Sequence, residues 1–331
     1  MTEPYYQDDT ATLHLGDSLR IGRQLESESV NCIVTSPPYF GLRDYGEPGQ
    51  YGLEESPAEY VETMRALFAE LRRVLADDGT LWLNLGDSYY SGKGSPTQPD
   101  LKNEARRPSD RVLDNPGAEW AKPKSLLGIP WRVALALQND GWILRNEVIW
   151  SKPNGMPESI TDRLSKRHEH VFMFAKSARY WFDLDPIREP CSTLDPSDPS
   201  YRANGKSDRR RKSHAVPPSQ SPQTNMIPTG TRHSSQFELG RNPGDVWSIP
   251  TTPFPGAHFA VMPLALAERC IQAGCKPDGT VLDPFSGSGT TGLAAARHGR
   301  RYVGIDLSRE YLDLSLRTRL SEPTLDFGDA S

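Results

Sequence analysis

The amino-acid sequence predicts an α/β fold, a mostly parallel sheet flanked by helices. Apolar, strand-like runs alternate with helix-spaced segments along most of the 331 residues. One such run, residues 30–34, leads straight into Thr35-Ser36-Pro37-Pro38-Tyr39. Another, residues 281–283, passes into the glycine-rich turn Pro284-Phe285-Ser286-Gly287-Ser288-Gly289 and the start of a helix at Thr290-Thr291, before a strand that ends in Asp306.

The elements follow in order. Residues 11–15 alternate like a short strand and end in Gly16-Asp17, and residues 18–25 can form one or two helical turns. Asp17 suits two roles equally, an N-cap or a contact to a bound cofactor. Ser56-Pro57-Ala58-Glu59 is a capping box, and Tyr60, Met64, Leu67, Phe68, Leu71 and Leu75 follow at helical spacing until Gly79 stops them. A strand over 80–85 then gives way to a polar stretch, 87–123, too rich in Gly, Pro and charge to be core. A helix over 130–139 and a strand over 142–150 come next, with 170–175 and 180–183 expected to pair as a hairpin. Periodicity vanishes between Asp185 and Pro255, and partial disorder without a ligand is expected there. Order resumes with a helix over 264–273, the strand and glycine turn, a helix over 292–298, the strand ending at Asp306 and a last helix over 308–319.

Two motifs carry chemistry. Prolines fix φ and push the preceding residue toward extended geometry, so Ser36 and the carbonyls beside it cannot relax into a helix. Ser36 Oγ and the Pro37 carbonyl are left as acceptors for an amino group, and Tyr39 offers a face on which a base could stack. The glycines of the second motif let a ligand approach the backbone at a helix start, and an acid about 20 residues further on is where a strand end binds ribose hydroxyls.

Together these residues resemble the DNA amino-methyltransferases that use S-adenosylmethionine, whose catalytic motif is D/N/S-P-P-Y/F and whose cofactor motif is D-x-F-x-G-x-G. The catalytic motif comes first here, the permuted order of the family's β group. The resemblance implies a Rossmann-like methyltransferase fold with circularly permuted motif order. Residues 1–185 would be the catalytic half, 186–255 an inserted target-recognition region, 256–320 the cofactor half of the same domain and 321–331 a tail. It further implies that Ser36, Pro37, Pro38 and Tyr39 are catalytic. Asp17, His258, Asp283, Pro284, Phe285, Ser286, Gly287, Gly289, Thr290, Thr291 and Asp306 would bind the cofactor. The Ser form of the tetrapeptide leans toward cytosine N4 as acceptor, with adenine N6 the alternative. RNA or protein methylation fits the motif order less well, and intact motifs argue against a non-catalytic binding module.

The expected substrate is double-stranded DNA with the target base flipped out, and a cognate restriction endonuclease and a second copy of the chain are further candidate partners. For contact to the DNA the resemblance offers Lys152, Asn154, Arg163 and Lys166 beyond the 142–150 strand, with Arg43 a further candidate, although salt bridges explain the charged ones as well; the run Arg209-Arg210-Arg211-Lys212 in the central region suits phosphate contact or solvated surface equally. The net charge of −5 argues against a protein that coats nucleic acid indiscriminately. Cys32, Cys191, Cys270 and Cys275 lack disulfide or zinc-site spacing and read as packing residues. Pro190-Cys191 resembles the nucleophile of cytosine C5 methyltransferases but lies in low-complexity sequence and follows no buried strand. No apolar run approaches membrane-spanning length and residues 1–9 are polar and acidic, so a cytoplasmic enzyme is expected.

Overall fold

The computed structural model describes residues 3–90, 119–155, 158–190, 240–252 and 261–320. Residues 184–244 form one compact unit. The remainder, Met1–Asp183 with Asp245–Ser331, forms another, which carries the sheet and all the helices named below. In the smaller unit a 3-10 turn, Asp185–Ile187, precedes a bridge between Glu189 and Arg241, whose side chains also pair at 2.9 Å.

Among the described residues the main unit is built on nine strands in the order β1-β2-β9-β8-β3-β4-β6-β5-β7. The catalytic-motif strand β3 (Val30–Thr35) lies between β8 (Thr280–Asp283) and β4 (Leu75–Leu85), parallel to both, and β9 (Arg301–Asp306) continues the parallel array on to β2 (Ala11–Leu15). These strands therefore end at one edge of the sheet, where open α/β sheets bind ligands. The antiparallel strand β6 (His168–Ala175) separates β4 from β5 (Ile143–Ser151). Short edge strands β1 (Tyr6–Gln7) and β7 (Val246–Ser248) close the two sides.

Helices cover both faces. Helix α2 (Pro57–Val74) starts at the Ser56 cap, which accepts from Glu59 N, and buries Tyr60, Met64, Leu67, Phe68 and Leu71. They meet Ile33, Leu81 and Leu83 of the sheet and Val133 and Leu137 of α3 (Ile129–Asn139) in one core. The opposite parity of β4 points the other way: Thr80 Oγ1 donates to Gly274 O at 2.9 Å at the end of α4 (Leu264–Gly274), where a Cβ would strike the Trp82 indole. Among the described residues no helix is long and apolar enough to cross a membrane.

Four boundaries differ from the sequence expectations. Helix α2 ends at Val74 instead of running to Gly79, because Leu75 adopts extended geometry and pairs with Val30 to begin β4. Residues 180–183 form no strand with 170–175. Both edges of β6 are already taken by β4 and β5, and Trp181 N and Asp183 N instead donate to Asp78 O and Ala273 O. The last helix, α6 (Arg309–Ser315), passes into a π-helical turn, Leu316–Leu320. Residues 246–248, assigned from sequence to the insertion, belong to the main sheet, where Trp247 stacks on Trp82 with centroids 5.9 Å apart. They are too few to show a period.

Candidate active site

The two motifs, about 250 residues apart in sequence, meet at the adjoining ends of β3 and β8. Thr35 Oγ1 donates to Asp283 Oδ1 at 2.7 Å, and the same carboxylate accepts from Phe285 N at 3.0 Å and, through Oδ2, from Thr291 Oγ1 at 2.6 Å. Asp283 is buried, and burial raises its pKa above the ordinary value while these donors oppose the rise. It thus ties strand end, glycine turn and the first turn of α5 (Thr290–Arg297) together.

Beside this tie lies a cleft of about 140 Å³, open at its mouth to solvent, that reaches from Ser36 and Pro38 to Asp306 and Tyr311. One wall is the glycine turn, where Gly287 and Gly289 hold φ of 51° and 77°, values costly for any residue with a Cβ. At Gly289 a Cβ would also lie 2.8 Å from Ser315 Cβ. Asp306 closes the end of β9, its Oδ2 accepting from Gly287 N at 2.7 Å and its Oδ1 from Ser308 N at 2.9 Å; burial pushes its carboxyl up to about 6. Aromatic rings frame the opening: Tyr51 meets Phe285 edge-on at 5.1 Å, and Tyr45 meets Tyr311 at 6.4 Å. Arg319, from the π-helical turn, donates to Ser288 Oγ at 3.0 Å and to Thr290 Oγ1.

At the other end, Ser36 heads a partly buried polar network. Its Oγ lies 3.2 Å from Tyr39 Oη, which donates to Glu169 Oε2 at 2.7 Å. Asn84 Nδ2 donates into all three oxygens, at 3.3 Å to Ser36, 2.9 Å to Tyr39 and 3.0 Å to Glu169. Lys152 Nζ pairs with Glu169 Oε1, and both side chains are largely buried. Burial favours the neutral acid, but the charge and hydrogen bond of Lys152, with the bonds from Tyr39 and Asn84, outweigh it and hold Glu169 below its ordinary pKa. Burial and the Glu169 charge together push the Tyr39 phenol well above its own.

Several sequence candidates have other partners. Asp17 caps α1 (Ser18–Gly22), accepting from Arg20 N at 2.8 Å, and its second oxygen accepts from Tyr51 Oη at 2.9 Å; its neighbour Ser18 lines the cleft and donates to Pro284 O. Lys152 faces inward to Glu169. Asn154 forms paired bonds with the Thr251 backbone at 2.8 Å. Arg163 joins Glu158 at 2.8 Å while covering the Tyr89 ring, and Lys166 donates to Asp87 O. Arg43 lies beside Tyr45, lowering the pKa that burial raises there. His258, Cys191 and Arg209 to Lys212 lie outside the described residues. Cys32, Cys270 and Cys275 are buried free thiols.

Sequence reasoning missed Asn84, Glu169 and Thr35. Asn84 left a signal, a lone amide inside the apolar strand Leu81-Trp82-Leu83-Asn84-Leu85. Glu169 left only an acid at the head of an apolar strand.

A mostly parallel sheet with an acid-ended cleft and a Ser-Pro-Pro-Tyr turn beside it defines a Rossmann-like methyltransferase. A DNA methylase family model matches residues 30–317, and the chain belongs to that family of N6/N4 DNA methyltransferases, whose cofactor is S-adenosylmethionine. It is 44% identical to the type II methyltransferase M.Cfr9I of Citrobacter freundii over 95% of this chain and 89% of the relative. It is also 44% identical to M.SmaI of Serratia marcescens over 91% and 88%. Among solved structures it is similar to the cytosine-N4-specific PvuII DNA methyltransferase, with a TM-score of 0.60, 20% identity and 95% and 87% of the two chains covered. A Thermus thermophilus protein complexed with S-adenosyl-L-methionine superposes with a TM-score of 0.54 at 23% identity, covering 92% and 91%.

Proposed function

We propose that this DNA methyltransferase transfers the methyl group to the exocyclic N4 of a cytosine flipped out of the duplex. The observation that carries the reading is the acceptor pair at the end of β3. Ser36 Oγ lines the cleft as a neutral acceptor, the Pro37 carbonyl follows it in the chain, and the Asn84 amide donates to the serine at 3.3 Å. The association of Ser with cytosine comes from the family resemblance.

The residues suit the cofactor. The two glycines leave the backbone of the turn open to the amino-acid end, Asp306 retains lone pairs for ribose hydroxyls, and Phe285, Leu307 and Tyr311 offer apolar surface to the adenine. When bound, S-adenosylmethionine supplies an electrophilic methyl group on a sulfonium. The chain's own part is to make the amino nitrogen nucleophilic. Its lone pair is delocalised into the ring, and two acceptors on its hydrogens draw it toward tetrahedral geometry. Tyr39 supplies the stacking face.

The relatives' type II designation supports a role beside a cognate restriction endonuclease. Digestion of DNA methylated by the protein to nucleosides, followed by mass spectrometry, tests the reading. N4-methylcytosine is expected; N6-methyladenine alone would overturn the choice of base, and 5-methylcytosine the mechanism.

A further inference from the structure

The hydroxyl chain behind Ser36 has a direction, and Glu169 sets it. An ionised carboxylate can only accept, so the single hydrogen of Tyr39 Oη points to Glu169 Oε2. Tyr39 then has none left for Ser36, and in the 3.2 Å pair the serine must donate. Asn84 obeys the same constraint, because the reversed amide would set its oxygen against the carboxylate. Ser36 Oγ receives the Asn84 amide on one lone pair, and the other is left for a ligand in the cleft.

We propose, on the reading that an amino group is methylated, that Glu169 is the terminal acceptor of the proton this group must shed, delivered through Ser36 Oγ and Tyr39 Oη. As the carbon–nitrogen bond forms and the carbon–sulfur bond breaks, sulfur keeps the bonding pair and leaves neutral, and the positive charge passes to a nitrogen that still carries two hydrogens. One moves to Ser36 Oγ as the serine hydrogen moves to Tyr39 Oη and the tyrosine hydrogen to Glu169 Oε2. Amine and thioether end neutral, both hydroxyls are restored and Glu169 is a carboxylic acid, which then loses its proton to solvent.

The surroundings of Glu169 favour that return. Lys152, just past the end of β5, pairs with its other oxygen, Lys166 and His168 lie along its own segment, and Tyr39 and Asn84 donate from the catalytic turn and β4. Lys152 is the cation in direct contact with the carboxylate, and its charge and hydrogen bond are what hold the Glu169 pKa down against burial.

The test combines single-turnover methylation of duplex DNA across pH with a carbon-13 NMR titration of the Glu169 carboxylate in the full chain without cofactor. Glu169→Gln and Tyr39→Phe, which keeps the stacking ring, should each slow transfer roughly a hundredfold with cofactor affinity retained. Lys152→Gln should move the carboxylate titration upward in pH and carry the acid limb of the rate with it, and that limb should vanish in Lys152→Gln/Glu169→Gln. Wild-type product with Glu169→Gln transferring within about twofold of wild type, or an acid limb that stays put while the titration moves, overturns the relay alone. Wild-type protein that leaves DNA amino groups unmethylated overturns the function and the relay with it.

Discussion

Ser36 is held by its neighbours before any base arrives: two prolines fix the backbone after it, and the Asn84 and Tyr39 bonds fix its hydroxyl. On the proposed function, truncation to Ala removes one of two acceptors on the target amino group and leaves the cofactor end of the cleft untouched. Single-turnover transfer should drop on the order of a hundredfold while calorimetry reports an unchanged cofactor affinity. Asp306 gives a prediction in pH. With its carboxyl at about 6, only about a tenth is ionised at pH 5, whereas ribose hydroxyls donate best to the carboxylate. Cofactor affinity should therefore fall about tenfold between pH 7.5 and pH 5, a dependence that Asp306→Asn abolishes while binding weakly throughout. Stability runs the other way. The folded carboxyl holds its proton more tightly than the unfolded one, so this group costs the unloaded protein stability as pH climbs from about 4 to about 6.

At the scale of elements, the sequence was most legible where one local rule governed several residues together. The capping box and apolar spacing of α2, the strand into Ser36 and the glycine turn after β8 all lie where expected, because each is specified within one turn or one strand. The order β4-β6-β5 was not legible. Strand pairing is chosen by sheet edges remote in sequence, so 170–175 could not be seen to insert between two strands instead of folding back on 180–183. Glu169 was hidden for the same reason: it becomes part of the site only once β6 lies beside β4. The join also explains Gly86, just past β4, where a Cβ would lie only 2.3 Å from Cε2 of the Tyr39 ring. Gly86→Ala should displace that ring and its bond to Glu169, costing about 1–3 kcal/mol in stability by overpacking. Transfer should slow more than cofactor binding weakens, and equal losses in both would mean that the ring is not part of the reaction site.

For the molecule as a whole, the permuted order places the catalytic and cofactor motifs at opposite ends of the chain, and the sheet must bring β3 beside β8 before either is useful. Two paired positions, Cys32 with Val281 and Ile33 with Leu282, make this junction, and past them it is sealed by side chains where Thr35 Oγ1 meets the buried Asp283 carboxylate. The sequence displayed both motifs but nothing of their contact, since Thr35 reads only as the residue before Ser36. Thr35→Val keeps the shape and leaves Asp283 one donor short in a buried setting, a loss worth about 1–3 kcal/mol. Urea denaturation should show a lower midpoint with an unchanged slope, because the same surface is exposed on unfolding. Cofactor affinity and transfer rate should decline together, since one carboxylate positions both strand ends. A Thr35→Val protein with wild-type midpoint and affinity would show that strand pairing alone holds the two halves in register.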